Sequence, residues 1–504
     1  MPGNRSRPVT PNSLTDPHFA RITPIVGRHL RRMKAAVVGL PLAEPLVKYL
    51  AASGVGHWAL LDPTGQQTEQ LRAYLLAQHG PALSLDLVAC DRPEQLAASQ
   101  PDLLISAGML KTSLSLAGEH RLPALLIAPP TVAHPCQAIA YFPGNEPPPL
   151  LDDAPGQIDA WGWVTAAPLC AGLGRAILLR QTDLRRPDLA DMWQRGLRVL
   201  EIGPPDDPLD VRQAGSAPQS PATERTFRTP PGRRGRLLIA GLGSLGSIAA
   251  THLARHAAGF ILADPDRVDA YNPVRQAYSL AQIGRSKAEA LRETLLALGA
   301  DEVTALNLAL ADEADASALL KRHQVTAALV VTGAAADFAI ARALRRLDIP
   351  HLVGRCYPRA RYWEAILVNG RRGPGLEAIR GYTATGPAPP PTPEQIAAYS
   401  DAGALEAEPA TLIESGWAAT WLARLAAQFL APPALRERWF LDLLAAQQTC
   451  LVGGVAVQPT VAGPAYAIST PGQIRAWGRQ DLSQTYPAIN APAAIGGVAK
   501  ASPE

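Results

Sequence analysis

Residues 236–267 read RLLIAGLGSLGSIAATHLARHAAGFILADPDR. An apolar run closes on a glycine turn, Gly241-Leu-Gly243-Ser-Leu-Gly246. A segment with the apolar spacing of a helix follows, then a second apolar run that ends on Asp264-Pro265. Strand, glycine turn, helix and strand open an α/β sheet in which backbone N–H groups and a helix N-terminus approach a phosphate. A carboxylate at the end of the second strand is placed to accept hydrogen bonds from a ribose. These residues say nucleotide without saying which, and alone they favour a NAD-dependent dehydrogenase.

The same unit occurs earlier in the chain. Residues 34–65 read KAAVVGLPLAEPLVKYLAASGVGHWALLDPTG, with Gly39 and Asp62 spaced like Gly241 and Asp264. PDLLISAG from Pro101 answers TAALVVTG from Thr326, and RLPALLIA from Arg121 answers LDIPHLVG from Leu347. A small-residue helix comes late in each copy, CAGLGRAILL from Cys170 and ESGWAATWLARLAAQFL from Glu414. The expectation is two tandem Rossmann-like α/β domains, with mostly parallel sheets and helices on both faces. Their boundaries read as an N-terminal arm 1–17, a first domain 18–203, a Pro/Gly/Ser-rich linker 204–231, a second domain 232–486 and a flexible tail 487–504. A Pro-rich crossover loop, 374–408, interrupts the second copy.

Composition narrows the function. The 504 residues are 47% hydrophobic and 18% charged with net charge +3, a globular profile without an electrostatic case for nucleic acid or membrane. No apolar run reaches the ~20 residues of a membrane span, and the N-terminus lacks a secretory apolar region. Five cysteines without a C-x-x-C pair argue against structural zinc and a disulfide scaffold, so a cytoplasmic protein is expected. Arginine has displaced lysine so far that only six lysines remain, Lys287 among them.

After Asp264 comes a dense polar set: Asp266, Asn272, Arg275, Gln276 and Lys287. A dehydrogenase has no need of two cations here, whereas a triphosphate does. Cations and amides in this number can neutralise and orient three phosphates during attack on the α-phosphorus. Asp337, after the strand-like ALVVTGAAAD, is placed to hold Mg²⁺ on those phosphates.

Together these residues resemble the ThiF/MoeB and ubiquitin-activating enzyme superfamily. The matching elements are Gly241/Gly243/Gly246, Asp264 and Asp266, Asn272-x-x-Arg275-Gln276, Ile283-Gly284-x-x-Lys287, and Asp337 with Arg342. The resemblance implies an adenylyltransferase that uses ATP and Mg²⁺ on the C-terminal carboxylate of a protein or peptide ending in glycine. It implies that Gly241, Gly243, Gly246, Asp264, Asp266, Asn272 and Gln276 bind ATP, that Arg275 and Lys287 act on the phosphates, and that Asp337 holds Mg²⁺.

The first copy lacks this chemistry: Pro41 and Glu44 stand where Gly243 and Gly246 do, and about two dozen residues with the Asn/Arg/Gln and Lys elements are missing after Asp62. It resembles an inactive adenylation domain, the two halves forming a pseudo-dimer in one chain. The resemblance makes Arg21 the arginine that reaches the other half's phosphates. That layout implies a ubiquitin-like substrate and a ubiquitin-conjugating-like partner; a peptide, a sulfur-carrier protein and a non-catalytic peptide-binding role are the alternatives. Relatives often carry a thioester cysteine in the crossover, which has none here. Cys356 and Cys450 are the remaining candidates, and both read as core residues. Ala336 and Phe338 stand where the family has Thr and Asn beside the metal Asp.

Overall fold

The structure, a computed structural model, describes residues 29–79, 86–131, 134–144, 158–180, 199–202, 211–213, 235–270, 272–273, 275–333, 336–356, 362–380, 412–454 and 474–477. Arg21, the arm 1–17 and the tail 487–504 lie outside them, as do most of 204–231 and of the crossover 374–408.

The first copy contributes β1 (Lys34–Val38), α1 (Leu40–Ala52), β2 (His57–Leu61), α2 (Gln66–His79), β3 (Asp86–Cys90), α3 (Pro93–Ala98), β4 (Leu103–Ala107), α4 (Leu110–Glu119), β5 (Ala124–Ala128), β6 (Cys136–Tyr141), α5 (Ala160–Arg180), β7 (Val199–Ile202) and β8 (Val211–Gln213). The second begins with β9 (Arg236–Ala240), α6 (Ser244–Leu253), β10 (Gly259–Ala263), α7 (Lys287–Ala297), β11 (Val303–Leu306), α8 (Glu313–Arg322), β12 (Ala327–Val330), α9 (Ala336–Arg346) and β13 (His351–Cys356). It ends with β14 (Tyr362–Val368), α10 (Leu376–Arg380), α11 (Leu412–Leu430), α12 (Arg438–Ala445), β15 (Cys450–Gly454) and β16 (Ile474–Trp477).

Among the described residues both sheets have eight strands in one order, β3-β2-β1-β4-β5-β6-β7-β8 and β11-β10-β9-β12-β13-β14-β15-β16. The first five strands of each are parallel, and the last three add antiparallel. The expected mostly parallel α/β fold is therefore present twice. β8 falls inside 204–231, so part of the stretch read as linker belongs to the first sheet. Three residues are too few to give a hydrophobic alternation, and the Pro and Gly around them dominate the sequence signal.

The register locates the extra residues of the second copy. Ala35 pairs with Leu103 and Leu237 with Ala327, so the offset between copies grows from 202 (237 − 35) to 224 (327 − 103). The added residues lie between β10 and β12, where the polar block sits.

One core spans both copies. Helices α1 and α5 of the first and α6 and α11 of the second pack into a layer between the two sheets. Helix α11, with its alanines and Trp417, Trp421 and Leu425, is buried along nearly all its length, its polar Glu414, Arg424 and Gln428 included. Trp417 meets Trp363 edge to face at 5.5 Å. Burying side chains of this size contributes about 1.5–3 kcal/mol each. The seam also carries charge: Arg175 of α5 is ion-paired with Glu414 of α11, their side chains 10% and 7% exposed. Smaller clusters fill the outer faces of both sheets, under α8 and α9 on one side and α3 and α4 on the other.

Candidate nucleotide site

The site forms at the C-terminal ends of β9, β10, β12 and β13. At Gly241 the chain leaves β9 with φ +91°, and a Cβ there would stand 2.5 Å from the Val331 carbonyl oxygen. At Gly246 a Cβ would stand 1.9 Å from the Gly241 oxygen, so this glycine lets α6 start tight against the turn. Gly243 is different: a Cβ there would meet nothing within 4 Å. It precedes α6 and leaves open space at the helix N-terminus, the geometry that admits a phosphate to backbone N–H groups.

Asp264 holds this turn. Its Oδ2 accepts from the Leu242 N–H at 2.6 Å and its Oδ1 from the Asp266 N–H at 2.8 Å. Two of its acceptor positions therefore serve the loop itself, a task the ribose reading did not foresee. Lys287 is buried at the start of α7 and donates through Nζ to Asp266 Oδ2 at 2.8 Å. Asn272 organises the loop between them: its Oδ1 accepts from the Asp269 N–H at 2.9 Å, and its carbonyl accepts from the N–H groups of Arg275 and Gln276. Arg275 Nε and Gln276 Oε1 are both buried without a hydrogen-bond partner. Orphaned polar atoms of this kind are costly in a folded chain, and a polar ligand that reached them would offset that cost.

Tyr278 and Ser247 complete the loop and had no signal in the sequence. Tyr278 is fully buried, and its hydroxyl donates to the Leu242 carbonyl at 2.8 Å. Burial, with Asp264 and Asp266 nearby, pushes its phenol well up from the ordinary tyrosine range. Ser247 Oγ donates to the Gly243 carbonyl at 2.7 Å and accepts from the Ala277 N–H at 3.1 Å.

On the other side, Asp337 opens α9 with no exposed surface. Its Oδ1 accepts from the Thr332 N–H at 3.1 Å and the Thr332 hydroxyl at 2.6 Å. Its Oδ2 faces the Arg355 guanidinium at 3.2 Å. Burial raises its carboxyl above the usual range, against the lowering influence of Arg355 and Thr332. Arg342, the arginine five residues after Asp337 in the motif, pairs with Glu313 and Glu377 on the outer side of α9. The cation beside Asp337 is Arg355, with Phe338 under its guanidinium at 5.6 Å. Among the described residues no three His, Cys, Asp or Glu side chains gather as a metal site. The Asp337 oxygen that faces Arg355 is the one a magnesium ion, bringing its other ligands on a nucleotide, would have to take over.

The first copy has no such turn. Helix α1 begins directly after Gly39, with Pro near its first position, and Glu44 pairs with Lys48. Asp62 turns away from the turn and caps α2 instead, accepting from the Thr68 N–H at 2.8 Å and hydroxyl at 3.0 Å. Those bonds hold its carboxyl below the usual range although burial opposes them.

Of the two cysteine candidates, Cys450 is buried in the outer core, as read from the sequence. Cys356, the last residue of β13, has exposed surface, which corrects its reading as a core residue, although the protein around it pushes its thiol up to about 12.

Residues 232–445 match the model of the ThiF family. No curated protein matches the chain. Among solved structures it is similar to E. coli MccB with succinimide, at 16% identity over 49% of this chain and 64% of that one, TM-score 0.34. It is similar to E. coli MccB with ATP, at 18% over 49% and 63%, TM-score 0.32, and to selenomethionine PaaA, at 18% over 44% and 61%, TM-score 0.31. The chain thus spans less than two thirds of each of these structures. With the glycine turn, the Asn272–Lys287 block and Asp337 inside the matched residues, the C-terminal region of this chain is a ThiF-family domain.

Proposed function

We propose that the second copy adenylates the C-terminal carboxylate of a ubiquitin-like protein, with ATP as the donor. The observation that carries this reading is the pair of buried, unpartnered polar atoms on Arg275 and Gln276 beside the open turn at Gly243. A triphosphate laid on the N-terminus of α6 brings anionic oxygens to Arg275 and Lys287, and amide groups from Asn272 and Gln276 orient them. Asp264 and Asp266 face the ribose side. Asp337 is the residue that holds magnesium, which supplies charge neutralisation on the phosphates when bound. A substrate carboxylate oxygen attacks the α-phosphorus, the bond to the β-phosphate oxygen breaks, and pyrophosphate leaves with its negative charge met by Arg275 and Lys287.

The ubiquitin-like substrate, rather than a free peptide or a sulfur carrier, is supported by the pairing of a degenerate and an intact copy around one core. Arg21 belongs to the same proposal, as the first copy's contribution to the phosphates. A ubiquitin-conjugating-like protein is the proposed acceptor of the activated carboxylate, with exposed Cys356 ahead of Cys450 for any thioester on this chain. ATP–pyrophosphate exchange, supplied with a protein or peptide ending in glycine, tests the reaction. Exchange that requires the free carboxylate supports it, and absence of both exchange and ATP binding refutes it.

A further inference from the structure

The nucleotide loop of the second copy is held by a residue of the first. Gln78, half-buried on α2, donates through Nε2 to the carbonyl oxygen of Tyr278, 200 residues further along the chain. Helix α2 packs there against the turn Leu280–Gln282 that follows the loop. Tyr278 passes the constraint on: its hydroxyl donates to the Leu242 carbonyl, and the Leu242 N–H donates to Asp264. An unbroken path thus runs from α2 to the glycine turn.

We propose that Gln78 is a positioning residue for nucleotide binding, so that the copy without a phosphate turn serves the copy that has one. The proposal rests on the ATP reading above. Asp62 explains how α2 stays in place for this task. Its counterpart Asp264 fastens the glycine turn, whereas Asp62 fastens Thr68 in the first turns of α2. Leu71 and Leu75 of the same helix are buried in the shared core, which fixes its other face. The degenerate copy has kept its aspartate and uses it to hold the helix that carries Gln78.

A hydrogen bond that orders a binding loop before the ligand arrives raises affinity by removing an ordering cost. A typical one is worth roughly three- to tenfold in a binding constant. The test is calorimetric titration of MgATP into the full chain, with melting temperature recorded alongside. Gln78→Met keeps the length of the side chain and removes the donor. It is expected to weaken ATP binding roughly three- to tenfold with an unchanged melting temperature. Gln78→Lys, which restores a donor, is expected to bind close to wild type. Glu69→Gln, on the exposed side of α2, is expected to change nothing. If wild type binds ATP and Gln78→Met binds it equally well, the positioning role is overturned while the nucleotide site stands. A Gln78→Met protein that melts lower, with no rescue by lysine, also overturns it in favour of a structural contact. Failure of wild type to bind ATP overturns the underlying function instead.

Discussion

The Lys287 ammonium lies 2.8 Å from Asp266 Oδ2, with the lysine side chain 10% exposed and the aspartate 65% exposed. A buried cation with its counter-ion at the surface is ready to exchange that partner for an incoming anion. Lys287→Met should therefore lower ATP–pyrophosphate exchange by roughly a hundredfold or more, the usual scale for removing one charge stabiliser from a reacting centre. Chemical denaturation should change little, since Asp266 remains hydrated. Loss of exchange only in step with loss of folded protein would argue against this role.

Two glycines separated by three positions should respond in opposite ways. Gly246→Ala puts a methyl 1.9 Å from the Gly241 carbonyl and should destabilise the fold by about 1–3 kcal/mol. Gly243→Ala meets no protein atom within 4 Å and should leave the melting temperature unchanged. It should nonetheless weaken ATP binding, because the methyl enters the space left for a phosphate. Calorimetry and thermal melts on the two variants check both halves of the statement.

The seam between the copies depends on Arg175 and Glu414. Arg175→Met leaves the buried Glu414 charge without its guanidinium and should cost about 3–5 kcal/mol in urea unfolding. Arg175→Met with Glu414→Leu should recover most of that loss, because the second change removes the buried carboxylate that Arg175 paired with.

His351, fully buried at the start of β13, has its pKa pushed down to about 4, chiefly by burial, with Arg345 adding to it and its contact to the Ile349 carbonyl opposing. The unfolded chain takes up this proton near the ordinary value of 6.5, the folded chain only near 4. Stability is therefore full above about pH 6.5 and falls as pH drops from there toward 4, by up to about 3 kcal/mol. His351→Leu should flatten the unfolding free energy across that interval. An unchanged slope would place the acid sensitivity elsewhere.

What could be read from the sequence was what is local along it. Gly241, Gly243 and Gly246 share one turn, and Asp264 to Lys287 share one connection between strands, so their spacing carries their chemistry. The duplicated fold was legible for the same reason, since two copies of one strand–turn–helix unit repeat at a fixed offset. Thr332 and Arg355 meet Asp337 only because β12 and β13 lie side by side, while the helix turns Arg342 outward. Gln78 and Tyr278 meet only because two copies share a core. The antiparallel strands β6 to β8 and β14 to β16 carry no comparable signal, because Pro-rich segments surround the outer members of each set.

ATP–pyrophosphate exchange with a glycine-terminated ubiquitin-like protein tests most directly that the second copy adenylates a carboxylate. Exchange is expected with the free C-terminus, none with the amidated C-terminus, and near-complete loss in Lys287→Met. Equal exchange with the amidated substrate or in Lys287→Met, or no ATP-dependent exchange at all, would contradict it.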